Sequence, residues 1–214
     1  MVKFVQNHLE TQIFHTMNDL SIVKAQPDEL AEAASLASHA MINLPENVAV
    51  FHGNRQRLES VFKVMFHRMS GQVLLAKDGK KIVGMMRLVQ WPQCKPSPLV
   101  KLKIFPSMLF ALKDTMPRGM KLHGMWAQHD PKENHWHLDP LAVRQGSQGQ
   151  GIGSALMKYF CEYVDEQREN GYLETGTTRN VHFYERFGFH IIDKASILGA
   201  TTWFMWRTKD QQSI

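Results

Sequence analysis

Apolar residues recur every three or four positions in three stretches of the chain, which is the spacing of an amphipathic helix. The clearest stripe begins near Gly151 and consists of Ile152, Ala155, Leu156, Tyr159, Phe160, Tyr163 and Val164. A second follows Asn54, a predicted N-cap, and consists of Leu58, Val61, Phe62, Met65, Phe66 and Met69. A third, rich in Ala and Leu, opens at Pro27 and runs to about Met41. Each stripe predicts a helix with one buried face.

Shorter apolar runs bounded by turn residues predict strands. They are Ser21–Ala25, two runs between Gln72 and Trp91, Asn134–Val143, Tyr172–Thr175, Phe189–Ile192 and Thr202–Trp206. Asp78-Gly79 separates the two runs between Gln72 and Trp91, and this dipeptide favours a hairpin turn. The remaining predictions are a helix over Val181–Phe187, a connection over Pro92–Pro98, and a segment over Leu99–Leu112 that is broken by Pro106 and helical after it.

Composition and charge place the chain among folded globular proteins. Of its 214 residues, 43% are hydrophobic and 10% aromatic, and no repeat divides the sequence, so we expect one domain over residues 1–214 with 1–20 as an N-terminal extension. The net charge of +5 comes from scattered Lys and Arg, which does not indicate a nucleic-acid partner. No apolar run reaches membrane-spanning length. Because Cys94 and Cys161 are the only cysteines, we expect a cytoplasmic protein without disulfides.

A glycine-rich run, RQGSQGQGIGSAL, connects the predicted strand that ends at Val143 to the helix that begins near Gly151. Glycine allows several backbone N–H groups to approach one point, and the positive end of the helix dipole lies behind them. This run therefore predicts a phosphate or pyrophosphate site. A P-loop is excluded because no lysine precedes Ser154. A dinucleotide fingerprint completed by Glu174 is disfavoured, because five residues separate the strand from the motif.

Gln148-Gly149-Gln150-Gly151-Ile152-Gly153 fits the pattern Gln/Arg-x-x-Gly-x-Gly/Ala and resembles the pyrophosphate-binding motif of the GNAT superfamily of N-acetyltransferases. His135–Val143 is similar to the family's fourth strand and Ile152–Glu169 to its third helix. Leu173–Thr175 and Arg179–Phe189, with Thr202–Met205, resemble the puromycin N-acetyltransferase-like branch. The resemblance is close in motif from His135 to Phe189 and topological before that.

The resemblance implies a GNAT fold of the α/β (α+β) class, with a mixed, twisted central β-sheet and helices on both faces. It also implies direct transfer of an acetyl group from acetyl-coenzyme A (acetyl-CoA) to a primary amine. Its cofactor-binding positions correspond here to Leu141, Ala142, Val143, Gln148, Gly149, Gln150, Gly151, Ile152, Gly153, Ser154, Asn180, Phe183 and Tyr184. Many family members have Asn seven residues before this tyrosine, where the present chain has Thr177, so a cofactor contact from that position is left open.

Acyl transfer from a thioester to an amine needs a polarised carbonyl, a neutral amine and a proton for the departing thiolate. Pro140 removes a hydrogen-bond donor from its strand, so we expect that strand to bulge or to part from its neighbour there. Such a splay would free the Leu141 N–H for the thioester oxygen. By resemblance, Tyr184 is the general acid.

The general base is left open at this point. Strand alternation places His135, His137 and Asp139 on one side of the sheet if no bulge intervenes, and Glu174 lies on the adjoining strand. Glu174 is slightly favoured because it belongs to the Leu-Glu-Thr motif shared with the puromycin branch. A metal site formed by these histidines with His123 or His129 is disfavoured because no fourth ligand is visible in the sequence. Neither cysteine is a convincing acyl carrier.

The acceptor is predicted to be a small amine with a hydrophobic body. The stretches that frame the acceptor site in the family correspond roughly to residues 30–69 and 91–126, and they hold no acidic run that would attract a lysine-rich peptide. Their aromatic residues include Phe51, Phe62, Phe66, Trp91, Phe105, Phe110 and Trp126. The alternative is a non-catalytic acyl-CoA-binding sensor, which needs neither Tyr184 nor a base. The sequence leaves the oligomeric state open, a homodimer included.

Overall fold

The computed structural model describes residues 13–14, 20–95 and 97–209, so the predicted N-terminal extension over residues 1–20 lies almost entirely outside the described residues. The helices are α1 (Leu30–Met41), α2 (Pro45–Phe51), α3 (Arg55–Arg68), α4 (Pro98–Leu112), α5 (Met116–His129), α6 (Ile152–Glu166) and α7 (Thr178–Glu185). The strands are β1 (Ile13–Phe14), β2 (Leu20–Lys24), β3 (Gln72–Asp78), β4 (Lys81–Gln90), β5 (His135–Val143), β6 (Asn170–Thr175), β7 (His190–Ile197) and β8 (Ala200–Arg207).

Within these residues the strands form one sheet in the order β1-β2-β3-β4-β5-β6-β8-β7. All neighbouring strands are antiparallel except β5 and β6, which are parallel. Alternate side chains of the central strands enter two separate cores. Leu75 and Met85 pack with the layer of α1 to α5, whereas Leu74 and Met86 pack with α6 and α7. The predicted mixed sheet with helices on both faces is confirmed.

Local sequence signals account for several element boundaries. The Asn54 side chain accepts a hydrogen bond from Arg57 N at 3.2 Å and caps α3, as predicted. The predicted hairpin is β3 and β4, and Gly79 takes a positive φ of 56° in its turn. Gly84 on β4 lets α6 approach closely, because a Cβ there would lie 2.9 Å from Ile152 Cγ2. This approach fixes the start of α6 against the middle of the sheet.

The prediction that Pro106 breaks the segment after the Pro92–Pro98 connection is wrong, because α4 continues through it from Pro98 to Leu112. An internal proline costs a helix about 3 kcal/mol. Burial of Ile104, Ala111 and Leu112 on one side of α4 offsets that cost. The opposite side exposes Leu99, Leu102, Phe105 and Phe110.

The apolar pattern does not predict α2 or α5, and it misplaces two other boundaries. α2 has only seven residues, and Gly119 and Leu122 are the buried residues of α5, so neither helix shows a long stripe. α7 spans Thr178–Glu185 rather than Val181–Phe187, and β7 extends to Ile197 rather than Ile192. β7 is an edge strand whose first five residues are exposed, so pairing with β8 determines its length and hydrophobicity does not. Among the described helices, none is both long and apolar enough to cross a membrane.

Candidate active site

The two parallel strands β5 and β6 separate in the middle of the sheet. Their backbone pairing covers His135–His137 on one strand and Asn170–Tyr172 on the other, and it ends there. On the far side of β5, Leu138 lies opposite Leu88 and Leu141 lies opposite Met86, so β5 carries one extra residue across this interval. The extra residue is a β-bulge at Asp139 and Pro140. The predicted bulge and the predicted parting of the strands are both present.

The bulge reverses the side of β5 that the residues after it face, relative to strict alternation. His135 stacks edge-on against Tyr172 and Trp206 in the core beneath α1 to α5, and Ala142 packs in the same core. Strict alternation from His135 would place Ala142 on the opposite face. The bulge begins only after Leu138, because Trp136, His137 and Leu138 keep regular pairing with β4, so the predicted alternation of His135 and His137 is undisturbed and both rings contact Tyr172.

The backbone N–H of Leu141 points into the gap between β5 and β6. Arg144 N donates to Val83 O on β4 at 2.8 Å, so the backbone of Arg144 faces β4. Successive N–H groups of a strand alternate between its two neighbours, so those of Val143 and Leu141 face away from β4. β6 does not pair with β5 at this level. The Leu141 N–H is thus available to an oxygen atom that enters the gap.

The glycine-rich loop between β5 and α6 depends on left-handed backbone. Gly146, Gly149 and Gly151 have φ values of 84°, 79° and 82°, which disfavour residues with a Cβ. No heavy atom lies within 4 Å of a Cβ built on Gly146 or Gly149, so the loop surface is open there. Gly151 is the N-cap of α6 and leaves the first helical N–H groups without a side-chain cap. The first turn of α6 carries no acidic residue, so the helix presents an anion site.

Side chains hold this loop to the rest of the domain. Arg144 Nε donates to Ile82 O at 2.6 Å, and the guanidinium also pairs with Glu32 of α1. Gln148 Nε2 donates to Val143 O and Gln150 Nε2 to Gly146 O, both at 3.3 Å. The two glutamines therefore brace the loop on itself through their side chains, and of its backbone N–H groups that of Ser147 is engaged in a turn, donating to Arg144 O at 3.0 Å.

α7 closes the other side of the gap. Thr177 is its N-cap and accepts a hydrogen bond from Asn180 N at 3.2 Å, which gives Thr177 a local structural role. Phe183 contacts the start of α6, with its ring 3.6 Å from a Cβ built on Gly153. The predicted cofactor residues of β5, the loop, α6 and α7 thus surround one gap.

A pocket lies at this gap. Its walls contain three residues singled out in the sequence as catalytic, Tyr184, Glu174 and Asp139, together with Asn180 and Leu141. Its remaining lining residues are Met41, Leu44, Glu46, Trp126, Leu138, Pro140, Thr175 and Thr202. Of the seven aromatic residues expected to shape an acceptor pocket, Trp126 lines it. Phe51, Phe62 and Phe66 instead pack in the core, and Phe105 and Phe110 are exposed on α4.

His137 lies behind the pocket wall and bonds to Glu174, with 2.7 Å between His137 Nε2 and Glu174 Oε2. Burial alone lowers the pKa of His137, but the Glu174 carboxylate and Cys94 outweigh burial and hold this pKa well above its ordinary value. The two side chains therefore form a close, buried hydrogen-bonded pair. His137 orients Glu174 and is not itself a wall of the pocket.

Glu46, at the start of α2, is a pocket residue that the sequence prediction missed. Its side chain packs against Gly176, where a Cβ would lie 1.9 Å from Glu46 Oε2, so only glycine leaves room for it. The residue is 7% exposed, and its Oε2 has no hydrogen-bond partner among the described residues. Burial raises the pKa of Glu46. Pro45 at the first helical position was a signal for α2, but the pocket position of the next residue depends on tertiary contacts.

Burial, and after it the carboxylate of Glu46, raise the pKa of Tyr184. The phenol therefore stays protonated at neutral pH and has a proton to give. The Tyr184 hydroxyl, the buried Glu46 carboxyl and the backbone N–H of Leu141 thus lie together where β5 and β6 part.

Comparison with known proteins identifies the family. A model described as the Acetyltransferase (GNAT) family matches residues 39–189, most of the chain. The chain belongs to the GNAT family of acetyltransferases. GNAT members use acetyl-CoA for acetyl transfer, so this chain is an acetyl-CoA-dependent acetyltransferase by family.

Solved structures share this GNAT fold. A Corynebacterium glutamicum protein described as histone acetyltransferase HPA2 and related acetyltransferase aligns with a TM-score of 0.67 and 20% identity, over 92% of this chain and 99% of that one. YncA from Salmonella typhimurium, solved with its cofactor acetyl-CoA, aligns with a TM-score of 0.55 and 11% identity over 91% and 96%. The ribosomal-protein-S18-alanine N-acetyltransferase of Escherichia coli aligns with a TM-score of 0.54 and 11% identity, over 90% of this chain and 96% of that one.

The residues of this chain fit acetyl-CoA. The open left-handed loop and the uncapped start of α6 suit the pyrophosphate, because several N–H groups converge there without a competing carboxylate. The gap between β5 and β6 suits the pantetheine arm, because strand pairing ends where the arm would enter. Gly146 to Ser154, with Leu141 and Val143, would hold the cofactor and direct its thioester into the pocket.

Proposed function

We propose that this protein transfers the acetyl group of acetyl-CoA to the primary amine of a small molecule, as in the puromycin N-acetyltransferase-like branch that its motifs resemble. The observation that carries the proposal is the pocket at the strand gap, where Tyr184 and the buried carboxyl of Glu46 lie in the same wall. Asp139 and Glu174 add two further acidic residues to this pocket. Such a pocket attracts a cationic amine and can then remove its proton.

Glu46 is the proposed general base. Its Oε2 is unpartnered, whereas Glu174 already accepts a hydrogen bond from His137. A carboxyl whose pKa is raised by burial is a better base near neutral pH than an ordinary surface carboxylate. Glu174 and Asp139 would then stabilise the ammonium before it loses its proton.

Tyr184 and Leu141 are proposed to act on the thioester of acetyl-CoA. Leu141 N–H would donate to the thioester oxygen as negative charge develops on it. The Tyr184 hydroxyl would protonate the departing sulfur, whose conjugate thiol has a pKa of roughly 8 to 9. The amine would be acetylated directly, because no cysteine lines the pocket among the described residues.

The body of the acceptor is proposed to be compact and apolar. Met41, Leu44, Trp126 and Leu138 supply the apolar part of the pocket lining. Two of the fold relatives carry names that refer to a histone and to a ribosomal protein. Glu46 is buried in this pocket and Asp139 and Glu174 are partly buried, whereas an extended basic peptide would need acidic residues spread along an open groove.

The acceptor class is tested by comparing small aromatic or aminoacyl amines with lysine-containing and N-terminal peptides. We expect kcat/KM for the best small amine to exceed that for peptides by at least tenfold, about 1.4 kcal/mol in transition-state binding. Thiol release with mass identification of the product measures it. Peptides preferred by the same factor would contradict the small-amine proposal, and hydrolysis without amine product would contradict N-acetyl transfer.

Glu46→Gln should lower kcat/KM about a hundredfold while acetyl-CoA binding stays within twofold, because the amide is nearly isosteric but accepts no proton. Wild-type kcat/KM should rise with pH through an apparent pKa above the ordinary carboxyl value, and this rise should be absent from the variant. The pH–rate profile checks this, with Glu162→Gln on the solvent side of α6 as the control. An unchanged profile in Glu46→Gln would remove Glu46 as the base.

The same substitution has a stability signature. The folded pKa of Glu46 lies above its unfolded value, so its contribution to stability is fully present below the unfolded pKa and is lost as pH rises through the folded pKa. Glu46→Gln should therefore be more stable than the wild type at pH 7 and similar to it near pH 4. Chemical denaturation at the two pH values measures the difference, and a variant less stable at pH 7 would contradict the assigned burial of this carboxyl.

A further inference from the structure

A second cluster of reactive side chains lies outside the pocket, where the turn after β4 meets the stretch that runs from the end of α5 into β5. Cys94 belongs to the turn after β4, Asp130 ends α5, and His137 lies on β5. The potential ligand atoms of these three residues all lie within 4.8 Å of one another. The sequence does not reveal this cluster, because the cysteine and the carboxylate are not at metal-ligand spacing from each other or from the histidine.

Two atoms beside this cluster are buried without a hydrogen bond. His135 Nε2 and Asp130 Oδ1 face each other at 3.3 Å, yet neither has a hydrogen-bond partner among the described residues. The His135 side chain is completely buried, and the Asp130 side chain is 6% exposed. His135 Nδ1 lies 2.7 Å from Glu133 O, a contact in which the nitrogen must donate. A neutral His135 therefore turns a bare lone pair on Nε2 towards a carboxylate oxygen.

Contacts outside this cluster engage one side-chain atom of each histidine and of Asp130. His137 Nε2 is engaged with Glu174, which leaves Nδ1, and His135 Nδ1 is engaged with Glu133, which leaves Nε2. Asp130 Oδ2 pairs with Lys95 at 3.0 Å and accepts a hydrogen bond from Cys94 Sγ at 3.8 Å, which leaves Oδ1. Metal-ligating histidines usually donate their second N–H to a carboxylate or a backbone carbonyl, and both histidines do so here.

We infer that Cys94, Asp130, His135 and His137 form a binding site for a single zinc ion. One thiolate, two imidazoles and one carboxylate are a ligand set that tetrahedral Zn²⁺ prefers, whereas Mg²⁺ and Ca²⁺ require oxygen ligands. Ligand atoms of a tetrahedral zinc site lie roughly 3.5 Å apart, so small side-chain rotations would close the cluster on the ion. The ion would satisfy both orphaned atoms at once.

Such an ion would have a positioning role for the neighbouring pocket. It would tie the turn after β4 and the end of α5 to β5 beside the point where β5 and β6 part. It would also fix the ring of His137, whose Nε2 bonds to Glu174 in the pocket wall. The zinc site does not depend on the identity of the acceptor, and it can be tested without any acetyl-transfer assay.

The first test is the metal content of the full chain, purified under reducing conditions without chelators or a polyhistidine tag. Elemental mass spectrometry should find at least half an equivalent of zinc per chain in the wild type. Cys94→Ala should lose at least nine-tenths of it, whereas the control Cys161→Ala, which changes a buried cysteine of α6, should keep it. Wild-type protein with less zinc, or Cys94→Ala that retains it, would overturn the inference.

A second measurement does not require a folded variant. One equivalent of Co²⁺ added to metal-depleted wild-type protein should give a thiolate-to-cobalt absorption band and the visible bands of tetrahedral cobalt. Zn²⁺ should remove these bands and slow alkylation of Cys94 at least tenfold. If Co²⁺ gives no thiolate band, or if Zn²⁺ does not protect Cys94, the gap between His135 and Asp130 holds a proton and no metal.

Discussion

We expect Tyr184→Phe to lower kcat about a hundredfold and to leave the Kd for acetyl-CoA within twofold. The hydroxyl is needed only as the thiolate departs, so its loss affects the transition state more than the bound ground state. A hundredfold change corresponds to about 2.7 kcal/mol and lies at the lower end of the range for general acids. The aromatic ring remains in the core formed by α6, α7 and the sheet, so the fold should be retained.

Single-turnover rates and calorimetric binding separate these two effects. Tyr159→Phe is the matched control, because Tyr159 lies on α6 and does not line the pocket. An unchanged single-turnover rate in Tyr184→Phe would show that the hydroxyl is not the acid. If wild-type protein binds acetyl-CoA but acetylates none of the tested amines or peptides, the acyl-CoA-binding sensor becomes the better account.

We expect Gly151→Asp to weaken acetyl-CoA binding at least a hundredfold. The substitution places a carboxylate at the N-cap of α6, beside the N–H groups that are expected to hold the pyrophosphate. The φ of 82° at Gly151 also disfavours any residue with a Cβ, although Asp and Asn tolerate this region better than most. The electrostatic part of the loss should diminish at high salt.

Gly151→Asn is the control, because it has nearly the same shape and the same backbone strain without the charge. We expect its affinity for acetyl-CoA to fall tenfold or less. Calorimetry measures binding, and thermal unfolding confirms that both variants are folded. If Gly151→Asp is folded and binds acetyl-CoA as tightly as Gly151→Asn, the loop does not bind the pyrophosphate.

The helices with long apolar stripes, the hairpin and the glycine loop could all be predicted from the sequence. In each case the determining contacts are local. The stripe from Ile152 to Val164 repeats at the period of α6, Asp78-Gly79 specifies a turn, and the glycines between β5 and α6 supply left-handed backbone. Pro140 likewise indicated the bulge in β5, because proline removes its own hydrogen-bond donor.

Prediction failed where packing outweighed local preference. α4 continues through Pro106 because it buries residues both before the proline, at Ile104, and after it, at Ala111 and Leu112. The edge strand β7 gave little apolar signal because its first five residues are exposed. The aromatic residues expected around the acceptor went mostly to the core or to the surface of α4, since composition does not state which side of a helix faces a pocket.

The sequence by itself determined the GNAT family and the left-handed glycine loop between β5 and α6, because these depend on residues close together in the chain. Only the tertiary structure brought Glu46 of α2 against Gly176 after β6, and Cys94 and Asp130 beside the histidines of β5. Glu46 and Gly176 are 130 residues apart and Cys94 lies more than 40 residues from the histidines, whereas Asp130 is close to them in sequence. The physical cause of these contacts is the collapse of α1 to α5 onto one face of the sheet, which places buried polar groups together irrespective of their spacing in sequence.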